Sequence, residues 1–240
     1  MNMENVQKMQ RNGVEILHFS EIASTSEFAK EQRLLQKELI VLADRQSGGR
    51  GTKGRSFSSE VGGVYLSKLT FPKLPVSRAF EIMAGAAVSV CKTLTAYGLK
   101  PCIKWPNDIH VGGKKICGIL IENTLSGKDV FSSVVGIGLN VCNTLPDELL
   151  DIATVMSAEM AQAPSVEEVA YRLIDELSKP VCMDEYLSFL GYMGRDAELI
   201  LGDERIPATL LSVDGEGKLH ARTAAGERTF SVAEVSVRGL

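Results

Sequence analysis

The sequence predicts an α+β fold in two parts: a larger part over residues 1–194 and a small antiparallel β-barrel over 195–240. Two observations carry this. Up to about residue 194, apolar runs of strand length are interspersed with helix-length patterns that carry their own start and stop signals. Beyond it come short alternating runs (ELIL, ATLLSV, KLHART, RTFSV, VSVR) separated by Gly202-Asp203, Asp214-Gly215-Glu216-Gly217 and Ala225-Gly226. A chain of 240 residues is long enough for one medium domain and a small one.

In order, residues 14–19 (VEILHF) read as a strand. Ser24 then opens a helix, with Glu27 three residues on as in a capping box. Residues 39–44 (LIVLAD) form a buried strand, and 64–71 another. A long apolar helix follows over 78–97, started at Ser77 and stopped by Gly98. Residues 103–105 and 109–111 are short extended pieces. Gly112-Gly113 makes a hairpin turn into a strand over 116–122, and 130–141 is again strand-like. Ser165 and Glu168 form a second capping box, opening a helix that ends near Pro180, and a further helix covers 184–193.

Composition narrows the function classes. Hydrophobic content of 45% and charged content of 23% are ordinary for a soluble globular protein. A net charge of −4 argues against broad, sequence-independent nucleic-acid binding. No run reads as long and apolar enough to span a bilayer, and the polar start MNMENVQKMQRNG has no signal-peptide core. Five cysteines without a CxxC pair point to reduced thiols and a cytoplasmic protein. Cys117 reads as a small buried hydrophobe more readily than as a nucleophile. Three histidines far apart in sequence predict no metal site.

Four segments carry chemistry. Gly49-Arg50-Gly51-Thr52-Lys53-Gly54-Arg55-Ser56 joins three glycines and three fixed cations in one loop, suited to closing over an anionic, phosphate-bearing ligand. It matches a P-loop apart from Arg55, but a P-loop opens directly into a helix, and FSSEVGGVYLSKLTF does not. Lys104-Trp105-Pro106-Asn107-Asp108 sets a cation, an aromatic plate, an amide and a carboxylate within five residues. Trp105 reads equally as a core anchor or a ligand contact, and Asn107 and Asp108 also as turn formers. Lys115 directly precedes the apolar strand Ile116-Cys117-Gly118-Ile119-Leu120-Ile121-Glu122, where its charge acts at lower effective dielectric; alone, it also reads as a solvated lysine at a strand end. Gly118 suggests a bulge or the approach of a ligand to the backbone, and the glycines of Gly136-Ile137-Gly138-Leu139-Asn140 mark close packing of chain or ligand.

Taken in this order, with Ser24-Thr25 and Gln46-Ser47-Gly48-Gly49-Arg50-Gly51 ahead of them, these segments resemble the biotin protein ligases, also called biotin–[acetyl-CoA-carboxylase] ligases. The similarity runs from about Ser24 to the C-terminus. It implies a catalytic domain with a mixed β-sheet, like that of class II aminoacyl-tRNA synthetases, and an SH3-like C-terminal barrel. It implies that biotin and ATP, with Mg²⁺, give biotinyl-5′-AMP and diphosphate, and that the biotinyl group passes to a lysine of the biotin carboxyl carrier protein of acetyl-CoA carboxylase or a related carboxylase.

By the same resemblance, Lys115, Asp108 and Arg50 are catalytic, Asp108 orienting or deprotonating the acceptor lysine. Ser24, Thr25, Ser26, Gln46, Arg50, Gly51, Thr52, Lys115 and Gly118 bind biotin, with Gln46 and the Ser24 segment on the ureido ring. Arg50, Lys53, Arg55, Trp105, Asn107, Lys115 and Asn140 bind ATP. The family often has Asn at Ser26, Arg at Thr52 and Lys53, and Trp at Phe57, so this loop carries less charge. Some members carry an N-terminal winged-helix domain and act as repressors. The 13 residues before the first strand are too few for one, so a monofunctional enzyme without direct DNA binding is expected, with a homodimer open. The competing readings are a lipoate or octanoate ligase of the same fold and a non-catalytic biotin-binding or carrier-docking module. Gln46 with KWPND favours biotin, because a linear acyl chain offers no ureido group.

Overall fold

A computed structural model describes residues 6–162, 164–232 and 234–238, with the side chain of Lys53 outside the description. The first strands are β1 (Val6–Arg11), β2 (Val14–Ile22), β3 (Leu39–Gln46) and β4 (Gly63–Thr70), with α1 (Thr25–Glu31) between β2 and β3. Then come β5 (Leu74–Pro75), α2 (Phe80–Ala96), β6 (Cys102–Lys104), β7 (Asp108–Val111), β8 (Lys114–Ser126) and β9 (Asp129–Asn140). Helices α3 (Met156–Glu159), α4 (Val166–Glu176) and α5 (Met183–Phe189) lead to β10 (Asp196–Leu201), β11 (Glu204–Val213), β12 (Leu219–Thr223), β13 (Gly226–Phe230) and β14 (Val235–Arg238).

The larger sheet runs β1-β2-β3-β4-β9-β8-β7-β6, with β5 paired to β9. Only β2 and β3 pair in parallel; their connection is α1, and every other pair is antiparallel, so the sheet is mixed as expected. β3 is buried from Leu39 to Ala43 because it is covered on both faces. Leu39, Val41 and Ala43 join Leu17, Phe19 and Ala29 in one cluster. Ile40 and Leu42 join the larger cluster built on α2 and α4. Alternation along the strand thus sends side chains to opposite layers.

α2 differs from expectation in two ways. A 3₁₀ turn over Val76–Arg78 precedes it and no side chain caps it, so Ser77 is not the cap. Together, Val76–Ala96 has the length and the mean hydropathy, 1.3, of a membrane-crossing helix, contrary to the reading that no such run exists. Ala84, Ala87, Val88, Cys91 and Leu94 of this helix are buried in the core, which accounts for its apolar character. α5 stops at Phe189, short of residue 193, because Gly191 donates to the Ile103 carbonyl and draws the chain back to β6. The Ser165 capping box forms in full. At Ser24 only half does: its hydroxyl accepts from the Glu27 amide, while the Glu27 carboxylate turns to Lys30 and Arg50.

The last five strands form one antiparallel sheet in the order β13-β12-β11-β10-β14, the small SH3-like unit. Its apolar side chains, among them Leu199, Leu210, Leu219, Phe230 and Val235, belong to the same cluster as the α2 core. Gly217 is the contact point. A Cβ there would lie 2.1 Å from the Phe80 ring, and its carbonyl accepts the Trp105 indole N–H at 2.9 Å. Its φ of +80° also favours glycine.

Candidate active site

The glycine loop, the start of α1, the KWPND turn, β8 and β9 converge on one cavity of about 650 Å³. Its floor is bare sheet. Gly118 of β8 pairs with Gly138 of β9, and Gly136 lies two residues back on the same face. The missing side chains leave room for the Phe57 ring and the Lys115 ammonium. A Cβ on Gly138 would meet the ring at 2.5 Å, and one on Gly118 would meet Lys115 Nζ at 3.1 Å. Both strand glycines therefore serve close approach, as read from the sequence.

One end of the cavity is neutral and polar. Gln46 Oε1 accepts from the Thr25 amide at 2.8 Å and from its hydroxyl at 3.0 Å, while Gln46 Nε2 donates to Ser59 Oγ at 3.0 Å. Thr25 Oγ1 and Ser67 Oγ lie 2.8 Å apart. These bonds fix the orientation of the amide and leave a wall of ordered donors and acceptors, with Ser26 beside it. Ser24 stands behind this wall, not on it: it is buried, caps α1 and meets Ser26 Oγ at 3.0 Å.

The cavity also carries a strong positive charge. Among the described residues, Arg50, Arg55, Lys104, Lys115 and Arg238 border it against two carboxylates, Asp108 and Asp151. A chain of net charge −4 thus concentrates positive charge in a concave, partly dry site, where the field is strongest. Lys115 Nζ pairs with Asp108 Oδ1 at 2.7 Å. Burial pulls the Lys104 ammonium below the ordinary lysine value, Asp108 pushes back up, and the nearby Arg238, Lys115 and Arg55 charges add to the depression. His110 is pushed down to about 4, first by burial and then by the Lys104 charge, so its ring is neutral near pH 7. Its Nδ1 meets the Tyr192 hydroxyl at 2.9 Å. Cys117 is fully buried and its thiol is raised well above the ordinary value by desolvation, which makes it inert, as expected.

The KWPND turn is held from both sides. Asn107 Nδ2 donates to the Ile119 carbonyl at 2.6 Å, and the Ile119 amide donates to the Asn107 carbonyl at 3.1 Å. Asn140 Nδ2 donates to the Thr154 carbonyl at 3.1 Å. The segment carrying Leu149, Ile152 and Ala153 lies along the start of β8, with the Lys115 amide donating to Ile152 and the Thr154 amide donating to Lys115.

Of the expected site residues, Thr25, Ser26, Gln46, Arg50, Gly51, Thr52, Arg55, Asn107, Asp108, Lys115, Gly118 and Asn140 all border this cavity. Trp105 does not, which corrects its reading as a nucleotide contact. It is 3% exposed and serves as the core anchor that ties the small sheet to the larger one. Lys53 lies outside the described side chains. Sequence reasoning missed His110, Arg238, Phe57 and the wall over 145–153 as lining groups. Lys104 was legible as a cation beside the turn; nothing in the local pattern around Arg238, at the far end of the chain, marks it.

Comparison with known proteins follows the same lines. The family model described as the biotin/lipoate A/B protein ligase family matches residues 19–140. The bifunctional ligase/repressor BirA of Bacillus subtilis is 38% identical over 152 residues, 60% of this chain and 47% of the relative. The biotin–[acetyl-CoA-carboxylase] ligase of Paracoccus denitrificans is 36% identical over 110 residues, 45% of each. The chain therefore matches about half the length of these relatives. The structure of the biotin protein ligase of Aquifex aeolicus in complex with biotin and ATP superposes with a TM-score of 0.77 and 27% identity, over 94% of this chain and 99% of that one.

Proposed function

Because the chain belongs to the biotin/lipoate A/B protein ligase family, we propose that it is an ATP-dependent biotin ligase that makes biotinyl-5′-AMP and passes the biotinyl group to a lysine of a biotin carboxyl carrier domain. The observation that carries this reading is one cavity that combines a fixed neutral polar wall at Gln46 and Thr25 with the cations Lys115 and Arg50. A ureido ring suits the first, and a carboxylate beside a triphosphate suits the second.

In the first step a biotin carboxylate oxygen attacks the α-phosphorus of ATP, an acyl-phosphate bond forms, and diphosphate leaves. Two anions must meet, so Lys115 and Arg50 neutralise them and stabilise the charge that builds up. Asn107 and Asn140 border the nucleotide end. Mg²⁺ would travel with the ATP phosphates and need few protein ligands; Asp151 is the rim carboxylate not held by Lys115. In the second step the acceptor lysine's amine attacks the acyl carbon, AMP leaves, and the amine proton goes to Asp108. In this reading residues 1–194 form the catalytic part and 195–240 the barrel that brings Arg238 to the nucleotide end.

ATP–diphosphate exchange tests the reading directly. Exchange that depends on biotin and not on lipoate is expected, followed by transfer of labelled biotin to a purified carrier domain. Lipoate-dependent exchange would make it a lipoate ligase, and no exchange with either would leave a binding module.

A further inference from the structure

Three charged side chains that the reaction above does not use, Glu27, Lys30 and Glu122, gather around Arg50. Arg50 Nη1 pairs with Glu27 Oε1, and Arg50 Nη2 lies 3.8 Å from Glu122 Oε1. Lys30 bridges the same two oxygens, 2.9 Å from Glu27 and in tight contact with Glu122. Two carboxylates, one from α1 and one from β8, thus share one fixed lysine and one arginine from the glycine loop. Neither glutamate borders the cavity, whereas Arg50 does.

Glu122 is the telling member. Its side chain is 24% exposed, and its Oε2 is buried without a hydrogen-bond partner. Taking a carboxylate oxygen out of water in that position costs desolvation, which the neighbouring Lys30 and Arg50 charges offset. Lys30 supplies one fixed positive charge for two negative ones. Without Arg50 the two carboxylates would repel each other across a single ammonium; with it seated, the charges balance. The pull acts on the whole loop, because the Phe57 amide donates to the Gly49 carbonyl at 2.9 Å and Arg50 bridges to Ser56. Seating Arg50 therefore also seats the Phe57 ring on Gly118 and Gly138.

We propose that Glu122, seconded by Glu27, is a positioning residue that holds Arg50 at the cavity mouth and sets how often the glycine loop closes. The catalytic use of Arg50 rests on the function proposed above; the hold on the loop does not. The experiment compares Glu122→Gln, Glu122→Asp and the more exposed Glu27→Gln in the full chain. Amide hydrogen exchange over residues 49–57, without substrate, is expected to quicken about two- to fivefold in E122Q at low salt, the effect of losing about one partly exposed ion pair. Molar salt should quicken exchange in the wild type more than in E122Q, which keeps only the Glu27 pair, and so narrow the difference between them. E122D should recover part of the protection, and E27Q should show the same direction should E122Q fail to fold. In steady state E122Q should raise the KM for biotin with kcat within about twofold, since what it weakens is ground-state seating.

Equal loop exchange in wild type and E122Q, or a difference insensitive to salt, would overturn the proposal. A wild type without biotin-dependent diphosphate exchange would instead defeat the functional reading, and the loop measurement would still decide the role of Glu122.

Discussion

Acid should weaken this protein through one buried ring well before its carboxylates protonate. His110 is 7% exposed, faces Lys104, Asp108 and Lys115, and meets the Tyr192 hydroxyl at 2.9 Å. Burial lowers its pKa from 6.5 to about 4. Between those values the unfolded chain carries the proton and the folded one does not. Its contribution is therefore fully present above pH 6.5 and is lost as the pH falls towards 4. The slope cannot exceed about 1.4 kcal/mol per pH unit, and the loss between pH 6.5 and pH 5 comes to roughly 1.5 kcal/mol. The carboxylates with depressed values, such as Asp175 at about 2, stay ionised in both states over most of this window and add little. The perturbation is His110→Asn, which keeps a polar atom near Nδ1 but does not titrate. Urea unfolding at pH 6.5 and pH 5 is the assay. The wild-type midpoint should fall by about half a molar, and that of H110N should barely move. An equal fall in both proteins would show that the acid sensitivity lies elsewhere and that the ring is not held neutral by its burial.

Three further changes separate roles within the site. Lys115→Ala should lower biotin-dependent diphosphate exchange at least about a hundredfold, with the circular dichroism spectrum unchanged; near-normal turnover would refute its assigned place. Gly138→Val adds a Cβ 2.5 Å from the Phe57 ring on the cavity floor, and titration calorimetry should find biotin affinity reduced about tenfold or more. Unchanged affinity would mean that the ring moves aside at no cost. Trp105→Phe removes the indole bond to Gly217 and should cost about 1–2 kcal/mol in denaturant unfolding. It should leave the KM for ATP unaltered; a large rise in that KM would return Trp105 to the nucleotide site.

Local patterns made much of this legible. The run 39–43 is apolar without a gap, and it is the stretch of strand buried on both faces. Gly112-Gly113 makes the tight turn between β7 and β8, with both glycines at positive φ. The glycines of β8 and β9 were readable as points of close approach, and two of them pair across the sheet. The misreadings came where a local signal competed with packing. Trp105 beside Lys104 and Asn107 looks like a ligand plate, yet the small sheet needed an anchor and took it. Glu27 looks like half of a capping box, yet two cations outbid a single backbone amide.

Residue order alone was enough to establish β2, β3, β4, β8 and β9 and the Gly112-Gly113 turn, because those depend on apolar runs, alternation and glycine placement; β1, inside the polar start read as lying ahead of the first strand, was not legible. The three-dimensional arrangement chose the rest. It put Arg238 from the last strand at a cavity opened by residue 25, made His110 neutral by burying it among cations, and set Glu27 and Glu122, 95 positions apart, around one arginine. Charge and desolvation act through distance in space, and separation along the chain carries no record of that distance.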